Sequence, residues 1–112
     1  MKTLYVAGSN GMVGRAVVRA ARESGNFNVV EGSRSTGVDF ENSPAPGFKT
    51  ARESIRDANP DFVVVAAGKV GGISANVDEP VDFIRRNLEI GINCVNAAAE
   101  VASKVIYLGS SC

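Results

Sequence analysis

Leu4-Tyr5-Val6-Ala7-Gly8-Ser9-Asn10-Gly11-Met12-Val13-Gly14 decides the fold. The apolar run Leu4 to Ala7 stops at a glycine. Apolar residues return from Met12 at Val13, Ala16, Val17, Ala20 and Ala21 with the spacing of one helix face. The pattern is strand, glycine turn, helix. Gly8, Gly11 and Gly14 stand three residues apart, and glycine tolerates positive φ and close approach of another backbone. Such a turn aims amide groups at a pyrophosphate beside a helix N-terminus, so Gly8, Ser9, Asn10, Gly11, Met12, Val13 and Gly14 form the first candidate cofactor-binding stretch. A tight turn with no ligand is the plain alternative.

Outward from this unit, Gly25 and Asn26 end the helix and Phe27 to Val30 form a second β-rich run. Gly32 to Gly47 is loop, with a short strand expected around Val38. A modest helix is expected from Phe48 to Ala58, ending before Asn59-Pro60 because proline disfavours helical geometry in its predecessor. Phe62 to Ala66 is an uninterrupted apolar run, the mark of a strand covered on both faces. A long helix starting near Pro80 is expected to bury a side made of Ile84, Leu88, Ile92, Val95, Ala98 and Ala99. Val105 to Leu108 is expected as the next buried strand.

Strands alternating with helices imply an α/β, Rossmann-type doubly wound parallel sheet, here incomplete, with its first four or five strands. Ligands bind such sheets beyond the carboxyl ends of the strands. Three loops lie there: Gly8 to Gly14, Gly68 to Gly72 and Gly109 to Cys112.

Bulk properties narrow the function. The 112 residues suffice for one unit, and 45 % hydrophobic content suffices for a core. Twelve basic and twelve acidic side chains cancel, which argues against nucleic acid or an anionic membrane as partner. The apolar start is too short for a signal peptide or a membrane span. Two scattered cysteines, Cys94 and Cys112, and no histidine fit neither a metal site nor a disulfide framework, so no metal and a cytoplasmic location are expected. Cys94, inside a helix, is expected to be a small buried residue.

Cofactor choice turns on the group facing the adenosine ribose, because a carboxylate pairs with a free 2′-hydroxyl and repels a 2′-phosphate. Glu31, about twenty residues beyond the glycine turn, keeps an NAD reading open. Arg34 at the strand end favours NADP, since a guanidinium holds phosphate; an ordinary solvated loop charge is the alternative. Asp39 is a candidate partner of the adenine amine or a simple turn residue. Ala66 and Ala67 leave room for a cofactor across the strand end, and Lys69 is the cation of the following loop. Ser110, Ser111 and Cys112 put hydroxyls and a thiol just past a strand, where serines commonly only cap helices.

Together AGSNGMVG (Ala7 to Gly14), AAGKVGGI (Ala66 to Ile73), DFIRRNLEIGINCVNAA (Asp82 to Ala98) and LGSSC (Leu108 to Cys112) resemble the GDP-L-fucose synthase family of extended short-chain reductases. The resemblance spans almost the whole chain and is weakest between Gly32 and Phe48. It implies an NADP-dependent enzyme that epimerises C3 and C5 of a GDP-linked 4-keto-6-deoxymannose and reduces C4. It also implies that Ser110 hydrogen-bonds the keto oxygen, that Cys112 is an acid/base in epimerisation, that Arg34 lies near the 2′-phosphate, and that Asn87 lies near the active site. A nucleotide-sugar substrate and a homodimer are implied for the complete enzyme. The family's Tyr-x-x-x-Lys pair and its histidine are not among these residues: Ser9 and Ser111 follow four places after Tyr5 and Tyr107. Residues 1–112 are therefore expected to be the N-terminal part of the NADP-binding domain, without the Tyr–Lys segment and sugar-nucleotide domain, and inactive alone. Another NAD(P)-dependent sugar-nucleotide epimerase or dehydratase, and a non-catalytic nucleotide-binding or interaction module, are the competing readings.

Overall fold

The computed structural model describes residues 1–67 and 80–108. Four parallel strands form one sheet: β1 (Lys2–Ala7), β2 (Phe27–Gly32), β3 (Phe62–Val65) and β4 (Lys104–Tyr107), in the order β2-β1-β3-β4. Tyr5 stands beside Val30 on one side and Val63 on the other, and Val65 stands beside Tyr107. Helices cover both faces, as right-handed crossovers between parallel strands require. The incomplete doubly wound sheet expected from the sequence is thus observed, with four strands among the described residues.

Alternation along the central strands builds two cores. Leu4, Val6 and Val64 face α1 (Met12–Ser24), which buries Gly14, Val18 and Ala21. Tyr5, Ala7, Val63 and Val65 face α2 (Ala51–Ala58) and α3 (Pro80–Val101). Each fully buried valine or leucine contributes roughly 1.5–3 kcal/mol of transfer free energy. The carboxylate of Asp61 accepts from the Thr3 amide at 2.8 Å, and its carbonyl accepts from Ser103 at 2.9 Å, so one residue ties together the starts of three strands.

Local signals set the helix ends. Gly25 closes α1 at φ 71°, the left-handed conformation that glycine takes without strain. α2 begins at Ala51 and not at Phe48, because Thr50 and Glu53 form a reciprocal capping box: Thr50 Oγ1 accepts from the Glu53 amide and Glu53 Oε1 from the Thr50 amide. The expected strand at Val38 is a single bridge to Lys49.

Two expectations about burial are corrected. Of the side expected to be buried in α3, Ala98 is buried and Val95 packs against the core, but Ala99 is exposed and Ile84, Leu88 and Ile92 are 57 %, 57 % and 55 % exposed; Ile90, Gly91, Cys94 and Ala97 complete the inward side. Small residues win the inward side because they let the helix approach the sheet; a Cβ on Gly91 would lie 2.7 Å from the Tyr107 ring. β4 is not a buried strand either. It pairs on one side with β3, and Ile106, Tyr107 and Leu108 stay substantially exposed.

Candidate functional site

The strand order reverses between β1 and β3, and a sheet of this kind opens its ligand crevice at that point. Gly8 ends β1 at φ 84°, with its amide donating to the Gly32 carbonyl at 2.8 Å; the Ser9 amide shares that acceptor at 3.2 Å. A Cβ on Gly8 would meet the Cα and amide nitrogen of Ala67 at 2.6 Å. A Cβ on Gly14 would overlap the Gly8 carbonyl. Glycine at these two positions therefore lets three backbone segments touch. Gly11 is the N-cap of α1 and no side chain caps it. The first amides of a helix have no intrahelical acceptor, so those of Met12, Val13 and Gly14 are available to an anion. Met12 and Val13 have exposed side chains, while Ser9 is buried beneath the turn.

Beyond the turn lies a cavity of about 520 Å³ bounded by Gly8, Asn10, Gly11, Ser33, Arg34, Asp39, Phe40, Glu41, Ala66, Ala67 and Ile90. Seven of the expected cofactor residues thus meet on one surface: Gly8, Asn10, Gly11, Arg34, Asp39, Ala66 and Ala67. The size and mixed lining suit a small-molecule site. Asn87 lies on α3 three residues before Ile90 and is half-buried. Lys69, Ser110 and Cys112, with the loops that carry them, lie outside the described residues.

The two residues that compete over the cofactor are separated by the fold. Glu31 turns to the α1 side, where it pairs with Arg22 at 2.8 Å. Arg34 turns to the cavity, with Nη1 3.2 Å from Asp39 Oδ2 and its guanidinium carbon 4.7 Å from the centre of the Phe48 ring. Its side chain remains 61 % exposed. Asp39 is buried and does more than turn the chain: Oδ1 accepts from the Glu41 amide and Oδ2 from the Ala45 amide. Burial pushes its pKa up, but the Ala45 and Glu41 amides and the Arg34 guanidinium outweigh that and hold it below the usual carboxylate range.

Phe40, Glu41 and Ile90 line the cavity and Phe48 packs against Arg34; none of the four was among the site residues expected from the sequence. Asn93 Nδ2 donates to the Phe40 carbonyl and to Asn42 Oδ1, both at 2.9 Å, and Arg86 Nε donates to Glu41 Oε1 at 3.0 Å. One wall of the cavity is therefore fastened to α3. Cys94 is a buried free thiol, as expected, and burial pushes it up to about 12. Among the described residues there is no cluster fit for a metal ion and no helix long and apolar enough to cross a membrane.

The sequence pattern of the NAD dependent epimerase/dehydratase family matches residues 4–112. The chain belongs to this family. Within it, the chain is 40 % identical over 111 residues to a probable GDP-L-fucose synthase 1 of Oryza sativa subsp. japonica, and 38 % identical over 110 residues to GDP-L-fucose synthase of Escherichia coli K12. Each match covers 97 % of the chain and 32 % of the relative, so the chain spans about a third of the length of these curated epimerase/dehydratase relatives. Among solved structures it is similar to MlghC, a GDP-mannoheptose C4 reductase from Campylobacter jejuni with NADP bound. That likeness has a TM-score of 0.78 and 28 % identity, and covers 96 % of the chain and 32 % of the reductase.

Proposed function

We propose that this chain forms the N-terminal part of the NADP-binding domain of an epimerase/reductase that converts GDP-4-keto-6-deoxy-D-mannose to GDP-L-fucose. The observation that carries the cofactor half of this reading is the opposite orientation of Arg34, which lines the cavity, and Glu31, which pairs with Arg22 away from it. The similarity to GDP-L-fucose synthases carries the substrate half. The site fits a dinucleotide, because Gly8 and Gly11 line the cavity and the uncapped start of α1 leaves the amides of Met12, Val13 and Gly14 to an anion beside it.

In this reading the turn from Gly8 to Gly14 holds the pyrophosphate, Arg34 holds the 2′-phosphate, Asp39 lies near the adenine, and Ala66, Ala67, Lys69 and Asn87 border the rest of the cofactor. When bound, NADPH supplies the hydride. Ser110 hydrogen-bonds the keto oxygen, which acidifies the neighbouring C–H bonds and later stabilises the alkoxide. Cys112 exchanges a proton with the sugar carbon, work for which a thiol ionises far more readily than a serine hydroxyl. The proton donor for reduction comes from a Tyr–Lys pair beyond these 112 residues. The exposed α3 stripe of Ile84, Leu88 and Ile92 supports a homodimer, and a buried free thiol suits the cytoplasm.

Titration of the protein with NADPH and NADH tests the reading. NADPH is expected to bind more tightly, and Arg34→Ala to remove about tenfold to a hundredfold of its affinity while leaving NADH unchanged, the scale of a charge-assisted hydrogen bond of roughly 1.5–3 kcal/mol. Equal binding of both cofactors by the unsubstituted protein refutes NADP selection. Reduction of another GDP-linked keto-sugar in preference to the deoxymannose derivative by the complete enzyme would favour the second reading, supported by similarity to the mannoheptose reductase.

A further inference from the structure

Arg34 is exposed, yet two neighbours from the least family-like part of the chain hold it. Asp39 Oδ2 takes Nη1 at 3.2 Å, and the Phe48 ring lies 4.7 Å from the guanidinium carbon. The loop that presents Phe48 is itself tied down. The Phe48 amide donates to the Ala45 carbonyl, the Ala45 amide to Asp39, the Lys49 amide to the Gly37 carbonyl, and the Asp39 amide to the Lys49 carbonyl. Ring, carboxylate and guanidinium are thus fixed relative to one another.

The two holds differ chemically. A carboxylate positions a guanidinium by occupying an N–H and cancelling charge, both of which a phosphate needs. An aromatic face attracts the cation through its quadrupole and occupies none of the five N–H donors. We propose that Phe48 is the positioning residue through which Arg34 selects a 2′-phosphorylated adenosine: the ring holds the guanidinium at the cavity with four N–H groups left for the phosphate. The ring thereby removes rotamer freedom that a free surface arginine would lose on binding. This rests on the NADP reading above and extends it to a residue that touches no cofactor.

The test uses two probes that differ by one group, adenosine 2′,5′-bisphosphate and adenosine 5′-monophosphate, titrated calorimetrically into the protein and into Phe48→Leu, Phe48→Tyr and Phe48→Trp. Phe48→Leu is expected to reduce the preference for the bisphosphate about two- to fivefold, the size of an exposed cation–π contact, with the monophosphate unchanged. Phe48→Tyr is expected to keep the preference and Phe48→Trp to keep or raise it. Equal weakening of both probes by Phe48→Leu, which a merely structural role would produce, overturns the proposal. So does a loss in Phe48→Tyr as large as in Phe48→Leu. Should Phe48→Leu fail to fold, a reduced preference in the Trp variant overturns it. A preference that survives Phe48→Leu refutes this proposal alone, whereas no preference in the unsubstituted protein refutes the NADP reading beneath it.

Discussion

Gly8 and Ala67 touch through their backbones: a Cβ on Gly8 would lie 2.6 Å from the Ala67 Cα. The contact joins the end of β1 to the end of β3 at the reversal of strand order, and it puts the first glycine of the turn on the floor of the cavity. Gly8→Ala meets two penalties, a φ of 84° and a collision with backbone that cannot swing aside. A destabilisation of about 1–3 kcal/mol is expected from the backbone conformation alone, together with loss of dinucleotide binding. Urea unfolding of Gly8→Ala beside Gly11→Ala measures it, since a Cβ on Gly11 meets only ordinary contact at 3.7 Å. Equal stabilities for the two variants would contradict the packing described.

Leu88 sits at the middle of the exposed α3 stripe, between Ile84 and Ile92. A two-fold interface uses the same patch on both copies, so one charge at its centre is repeated in the pair. If the homodimer proposed for the complete enzyme forms through this stripe, Leu88→Lys in that enzyme is expected to sediment as monomer, with unfolding stability of the single copy changed by no more than about 0.5 kcal/mol, as for other exposed positions. A Leu88→Lys protein that remains dimeric would move the interface elsewhere.

The outward position of that stripe has a physical cause. Apolar residues surround much of α3, and periodicity selects the side of Ile84, Leu88, Ile92, Val95, Ala98 and Ala99, whose first half is bulky. Packing selects instead the side that fits, where Gly91, Cys94, Ala97 and Ala98 let the helix lie against Tyr107 and β3. The strands and the glycine turn were legible because β1 and β3 are apolar runs ending at residues that can only turn or stay small. Arg34 was legible from its place after β2. Phe48 and Asn93 were not, since each acts through the path of the 37–49 loop, which no local pattern encodes.

Tyr5 and Cys94 give the fold an alkaline limit. Burial raises the Tyr5 phenol to about 12 despite its 2.7 Å hydrogen bond with Ser54, and burial raises the Cys94 thiol to about 12. Both groups ionise more easily in the unfolded chain, near 10.0 and 9.0. Their contribution is therefore complete below those values and is lost as pH rises through them towards 12, by about 1.4 kcal/mol per pH unit for each group. Denaturant midpoints measured from pH 7 upward are expected to fall from about pH 9. In Cys94→Ala the decline should begin about one unit higher, where the phenol takes over. Identical profiles for the two proteins would show that the thiol does not contribute.

Asn93 offers the sharpest test of how the cavity wall is held. Its Nδ2 reaches the Phe40 carbonyl and Asn42 Oδ1 at 2.9 Å each, across more than fifty residues of chain, and Phe40 and Glu41 form the wall that faces the glycine turn. Asn93→Ala deletes two hydrogen bonds, each worth about 0.5–1.5 kcal/mol net, and leaves a partly buried carbonyl without that partner. Asn93→Asp keeps the shape but opposes a carboxylate to two oxygen acceptors, so it is expected to cost more than the alanine variant. The order of urea midpoints should be unsubstituted, Asn93→Ala, Asn93→Asp. Because Asp39 fixes the Glu41 and Ala45 amides within the same loop, their hydrogen exchange should quicken in both variants, while exchange at Val6 and Val64 in the central strands follows global stability alone. An Asn93→Asp protein at least as stable as Asn93→Ala would show that the amide does not donate to the wall, and the cavity would then owe its shape to the Arg86–Glu41 pair and Asp39 instead.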